Sequence, residues 1–169
     1  EDFAGRIASQ LECDSLSILN AFKDKQFLEE NGFTEENVLA VCIPNSYEYF
    51  WNTTAEKFRD KMAKEYRKFW TEERQAKAKA QNLTPIQVSI LASIVHKETV
   101  KRDERPRVAG VYLNRLNQGM KLEADPTVIY AVNKASNFTT PIKRVLYKHL
   151  REQSPYNTYA TAGIPPGPI

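Results

Sequence analysis

The sequence predicts an α+β fold, predominantly helical, with a small β-sheet or hairpin. Three observations carry that prediction. Apolar residues recur every three or four positions through most of the chain, in runs bounded by Thr, Pro and Gly. One stretch, residues 38–51 (VLAVCIPNSYEYFW), is instead β-branched, aromatic and proline-containing, and reads as a strand or extended segment. With 41% hydrophobic and 27% charged residues, the composition is that of an ordinary globular protein able to bury one core.

Taken in order, residues 2–33 read as short helices. Phe3, Ile7 and Leu11 repeat every four positions, Leu16, Leu19 and Phe22 follow, and Gly32 closes the stretch. After the segment at 38–51, Thr53 and Glu56 have the spacing of a capping box. Phe58, Met62, Tyr66, Phe69 and Trp70 then mark one face of a long helix that is expected to reach Ala80, its charged face being solvated surface. Thr84-Pro85-Ile86-Gln87 combines an N-cap, a first-turn proline and a second capping box, and opens a helix through VSILASIVHKET. A further helix begins near Pro106, carries Val108, Val111, Tyr112 and Leu116, and stops at Gly119. A second extended piece is expected at 120–125. Asp125-Pro126-Thr127 looks like the N-cap and first turn of a short helix over 126–132. Residues 138–150 fit helix and strand equally, and the Pro-rich tail from Ser154 is loop-like.

Charge is unevenly spread. Residues 1–36 hold nine acids and three bases, whereas the whole chain has 24 bases and 21 acids, so the remainder is basic. A basic remainder suits an anionic polymer, and an uneven solvated surface accounts for it equally. Aromatic and basic residues are not interleaved in a nucleic-acid motif, so no nucleic acid is expected as a partner. Cys13 and Cys42 are too few for a disulfide framework or metal cluster; they can pair with each other, but Cys42 sits in an apolar run and reads as an inert buried thiol. His96 and His149 are the only histidines, which excludes a His-rich metal site, and none is expected. No apolar run approaches the ~20 residues of a membrane span. The chain starts without Met and ends on Pro165-Pro166-Gly167-Pro168-Ile169, and it is read as a piece of a longer protein.

One carboxylate is out of place. On a wheel of about 100° per residue, Gln87, Leu91, Ile94 and Val95 all lie within about 60° of Glu98. Glu98 is therefore expected in the apolar stripe, kept from water, where it must be paired, neutral or functional. A desolvated glutamic acid holds its proton and serves as a general acid. The bland readings are that it leaves the core at the helix end, or that it pairs with Arg115. Arg115 falls in the stripe of its own helix, with Asn114 at the edge, and reads as half of a structural ion pair or as the holder of a substrate carboxylate.

LASIVHKET (91–99), VAGVYLNRLNQGMKLEADPTVIYAV (108–132) and SPYNTYATAGIPPGPI (154–169), together with IPNSYEYFWNTTAEKF (43–58), resemble the MltG/YceG-like family of endolytic murein transglycosylases. The resemblance covers about residues 40–169, which it implies to be a catalytic domain, incomplete at its C-terminus. Residues 1–39 would form an N-terminal helical segment of a truncated ectodomain. It implies a lytic transglycosylase that cuts between N-acetylmuramic acid and N-acetylglucosamine and leaves 1,6-anhydro ends. The full-length protein would carry a single membrane-spanning anchor in the inner membrane, with the catalytic domain in the periplasm or cell-wall space. Its partners would be peptidoglycan strands and the cell-wall synthesis machinery, and no cofactor is implied.

By the same resemblance Glu98 is the catalytic residue, and Asn114, Arg115, Glu123, Asp125, Thr127, Tyr156, Asn157 and Tyr159 line the sugar groove. That groove is expected between the C-terminal end of the 85–99 helix and the loop at 154–165. For Asp125 the bland alternative is N-capping. His96 departs from the family's usual acid, on the far side of the helix from Glu98; Glu123 departs from its usual Gln and adds a carboxylate near the site. Two other functions are weighed. An older label for the family, aminodeoxychorismate lyase, needs a Schiff-base lysine and a phosphate cradle, and six glycines in the chain provide no Gly-rich loop. A non-catalytic peptidoglycan-binding or scaffold module is kept open by His96 and Glu123.

Overall fold

The computed structural model describes residues 2–169; Glu1, where the predicted N-terminal segment starts, lies outside them. Among the described residues there are eight α-helices, two 3₁₀ turns and no strand. The expected α+β class is therefore corrected: the chain is helical throughout. It forms two compact units, Glu1–Gln75 and Ala76–Ile169.

The first unit begins with α1 (Asp2–Ala8), α2 (Ser15–Lys23) and α3 (Lys25–Asn31). Asp14 and Asp24 cap α2 and α3 by accepting from the amides of Ser17 and Phe27. Gly32, at φ 70°, takes the left-handed conformation that ends α3. The residues read as a strand do something else. Val38–Val41 is a 3₁₀ turn, with Ala40 N–H bonded to Asn37 O and Cys42 N–H to Leu39 O. These amides are spent on carbonyls three residues back, and Pro44 has none to give, so the first half of the segment has no amides for a ladder. The β-branched side chains still go inside, Val38 and Val41 being 4% and 0% exposed.

The long helix starts one residue later than its sequence signal and breaks before its expected end. Thr54, not Thr53, caps α4 (Ala55–Phe69) by accepting from Lys57 N–H. Trp70 then leaves the helix, and Thr71 Oγ1 accepts from Arg74 N–H as α5 (Glu72–Ala80) opens. Phe58, Met62 and Trp70 are buried as the spacing predicts. The Phe58 ring is a hub, 6.1 Å from Phe22 and 5.0 Å from Tyr49 between centroids. Cys13 and Cys42 are free thiols, and burial pushes that of Cys42 up to about 12.

The second unit is built on α6 (Pro85–Glu98), α7 (Arg105–Asn117) and α8 (Asp125–Ala135), with α6 packed on both others. The capping box at Thr84 and Gln87 forms as its spacing predicts, each side chain bonding the other's backbone N–H. Leu91, Ile94, Val95, Tyr112, Leu122 and Ala124 form the core, and Ile169 packs against it while its N–H bonds Ser93 Oγ. The α7 stripe is less buried than its spacing implies, since Val111 is 51% exposed. Gly119, at φ 67°, turns the chain back so that Met120 N–H reaches Arg115 O.

The extended piece expected at 120–125 is also absent. Glu123 sits at φ 52°, in the left-handed region, which interrupts any strand there. A single backbone-to-backbone bond among the described residues, from Glu123 N–H to Thr158 O, reaches across. Residues 138–148 follow an irregular path into a 3₁₀ turn at His149–Arg151 that packs on α8.

Candidate active site

Glu98 is the last residue of α6, whose end is fixed by Thr99. The Thr99 hydroxyl donates to Glu104 Oε2 and accepts from Lys101 N–H, closing the turn that leads into α7. The bond from Thr99, then that from Lys101, holds the Glu104 carboxyl below its usual range. This turn sets α7 beside α6 so that Tyr112, only 6% exposed, donates its phenol O–H to Glu98 Oε2 at 3.0 Å.

The expected burial of Glu98 is corrected. Leu91, Ile94 and Val95 are buried, but the stripe gives out in the last turn and the Glu98 side chain is exposed. Nor does it pair with Arg115. The Arg115 guanidinium is committed to Glu123 Oε2 at 2.8 Å and to Lys121 O at 2.9 Å.

The other predicted site residues divide into two groups. Asn114 is exposed on α7, and Asp125 is exposed at the start of α8. Asp125 does not cap: the N-cap position is Ala124, and the Asp125 carboxylate accepts the phenol O–H of Tyr159 at 2.8 Å. Glu98, Arg115, Glu123, Asp125 and Tyr159 are brought together in one electrostatic neighbourhood. Burial is the main cause that pushes the Tyr159 phenol up to about 12, with the bond to Asp125 and the charges of Asp125, Glu123 and Glu98 adding to it. The Tyr112 phenol is raised further, by burial first, then by the charge of Glu98 and its bond to it, and Tyr159 adds to this while Arg115 opposes it.

Thr127, Tyr156 and Asn157 are 0%, 2% and 0% exposed, so their side chains sit beneath the surface instead of lining it. Thr127 Oγ1 donates to Ala124 O and lies 2.8 Å from Thr158 Oγ1, which in turn accepts Ala124 N–H. Asn157 Nδ2 donates to Leu150 O and Glu152 O, while its Oδ1 accepts Tyr159 N–H. These bonds bolt the 156–159 loop to α8 and to the turn before it, which fixes where the Tyr159 ring stands.

Sequence reasoning missed Tyr112, Thr158 and Lys121, whose ammonium group donates to Tyr159 O. Tyr112 read as a core aromatic. The signal that finds it is general: a tyrosine on a buried stripe needs a partner for its hydroxyl. Among the described residues no group of three or more His, Cys, Asp or Glu side chains is arranged to hold a metal ion.

Chemically, this is a helical site in which one exposed carboxylate is held by a buried phenol, among two further carboxylates that are each engaged. A proton can be given to, or taken from, a ligand lying on that face. The YceG-like family profile matches residues 1–169, and the chain belongs to that family. A 79-residue stretch is 44% identical to an endolytic murein transglycosylase of Bacillus subtilis, covering 47% of this chain and 20% of that protein. An endolytic murein transglycosylase of Streptococcus pneumoniae is 36% identical over 91 residues, 54% of this chain and 16% of that protein. The chain thus spans a fifth or less of these relatives' lengths. The 2.6 Å crystal structure of a YceG-like protein from Listeria monocytogenes superposes with a TM-score of 0.75 at 27% identity, covering 99% of this chain and 58% of that one.

Proposed function

We propose that this chain carries the active site of an endolytic murein transglycosylase, with Glu98 as its single acid and base. The observation that carries this reading is the Glu98 carboxylate held by the buried Tyr112 phenol and faced by the Tyr159–Asp125 pair. Family membership and the names of the relatives agree with it.

In the reaction, Glu98 gives its proton to the oxygen linking N-acetylmuramic acid to the next sugar. The C1–O bond breaks as positive charge develops at C1. Glu98 then takes the proton of the muramic acid 6-hydroxyl as that oxygen bonds C1, closing the 1,6-anhydro ring. No water is consumed, and attack within one sugar has a large effective-molarity advantage. Because Glu98 is exposed in the free protein, the glycan itself must cover it and exclude water. Tyr112 orients the carboxyl. Exposed Asn114, together with Tyr159 and Asp125, faces the sugars, while Thr127, Tyr156 and Asn157 act from below by holding the loop. With Glu123 attached, Arg115 braces the 121–124 turn.

The family resemblance adds a single-pass inner-membrane anchor in the full-length protein, work in the periplasm or wall space, and association with the wall-synthesis machinery. No described helix is long and apolar enough to cross a membrane.

Digestion of purified glycan strands by Glu98→Gln tests the assignment. Anhydro-ended product should fall by about a hundredfold or more with the fold unchanged, since the side chain is exposed. Anhydro product at the parent rate refutes it. The exposure of Glu98 also favours a second reading, a glycan-binding module without turnover; strand binding with no new ends from the intact protein would establish it.

A further inference from the structure

Resting on the glycan-strand reading, we propose that residues 143–148 form a second binding surface, outside the Glu98 site, for the carboxylates of peptides attached to the strand. The sequence from Pro126 to Arg151 contains five bases, Lys134, Lys143, Arg144, Lys148 and Arg151, and not one acid. Three of them crowd into six residues. Lys143, Arg144 and Lys148 are exposed, and among the described residues none has an anionic partner.

Between them stands Tyr147, 91% exposed, beside Leu146 at 48%. His149 Nδ1 accepts Leu146 N–H and closes the turn that presents both. A flat ring with a hydroxyl tip, flanked by cations, is a surface for a sugar carrying acidic substituents. The cations around Glu98 are already engaged: Arg115 by Glu123, and Lys121 by Tyr159 O.

The surface is coupled to the site through one buried side chain. Tyr147 is three residues from Leu150, a reach of about 10 Å at most. The Leu150 carbonyl is held by Asn157, whose Oδ1 receives the N–H of Tyr159. A strand long enough to pass Tyr159 can therefore meet these cations with its attached peptides. An anionic membrane is the weaker fit: the segment is not helical, so it has no continuous apolar face to insert.

The test compares the Glu98→Gln protein with the same protein carrying Lys143→Gln, Arg144→Gln and Lys148→Gln. The probes are soluble strands with free peptide carboxylates, matched strands whose carboxylates have been amidated, and phosphatidylglycerol vesicles. Binding is read directly, so the outcome does not depend on turnover. The first protein should prefer the acidic strands by about tenfold, a preference that added salt erodes. The triple substitution should abolish that preference. Equal binding of both strands by the first protein, or a preference surviving the triple change, overturns the proposal. So does a triple change that abolishes vesicle binding and leaves strand binding intact, which would assign the surface to the membrane. Loss of anhydro product in intact enzyme with the binding preference retained would instead bear on the Glu98 assignment alone.

Discussion

At the scale of single residues, the position of a proton donor rests on one phenol. Tyr112 donates to Glu98 from inside the core, so Tyr112→Phe keeps the ring packed and removes only the bond. Stability should change by about 1 kcal/mol, and turnover of glycan strands should fall roughly tenfold as the carboxyl loses its orientation. A variant with parent kcat would show that Glu98 needs no such partner. Tyr159 gives a pH signature. Its phenol is raised from 10.0 to about 12, so its contribution is whole below pH 10 and is lost as pH climbs through about 12, where the folded form must give up a proton beside Asp125. The stability difference between the parent and Tyr159→Phe should therefore be constant below pH 10 and shrink as pH climbs towards about 12; a difference that does not change with pH would contradict this. The sequence made Glu98 stand out but misjudged its surroundings: a wheel treats every turn as equally covered and cannot see a neighbouring helix running out.

Among elements, end signals were the most legible because they are local chemistry. Thr84 and Gln87 close on each other within four residues, and no distant partner is needed. Thr84→Ala should cost about 1 kcal/mol in urea unfolding, with the α6–α7 contacts otherwise kept; an unchanged midpoint would mean that the cap adds nothing. Strands were misread for the opposite reason. A strand is a property of two segments, and the apolar, β-branched residues at 38–41 meet their burial requirement in a 3₁₀ turn. Residues 120–125 fail through Glu123, whose left-handed backbone is not encoded by a glycine that reading could find. The break at Trp70 was hidden too, since a buried aromatic continues the helical spacing even where the backbone departs.

For the molecule as a whole, the two compact units carry different kinds of information. The first is held by aromatic rings around Phe58, and its motifs are spacing and bulk. The second gathers residues from α6, α7, α8 and the 156–159 loop onto one neighbourhood, across gaps of up to 61 positions between Glu98 and Tyr159. Spacing alone cannot join such points; the family motifs did, and they named surface and buried members alike. Thr127, Tyr156 and Asn157 are the buried members, and the bonds of Thr127 and Asn157 hold the loop that carries Tyr159.

The paired hydroxyls of Thr127 and Thr158 show what that constraint permits. Both are sealed from water, and between them they satisfy the amide and the carbonyl of Ala124. Thr158→Val matches the volume yet strands an amide, so thermal unfolding should register a loss of about 1–3 kcal/mol; an unaltered melt would deny the hydroxyl any role. Substituting valine at both places offers no rescue, since the amides of Ala124 and Thr158 then both lose their hydroxyl acceptors. Serine is the tolerable exchange. What these two positions demand is an oxygen atom: the fold can spare the methyl but not the hydroxyl.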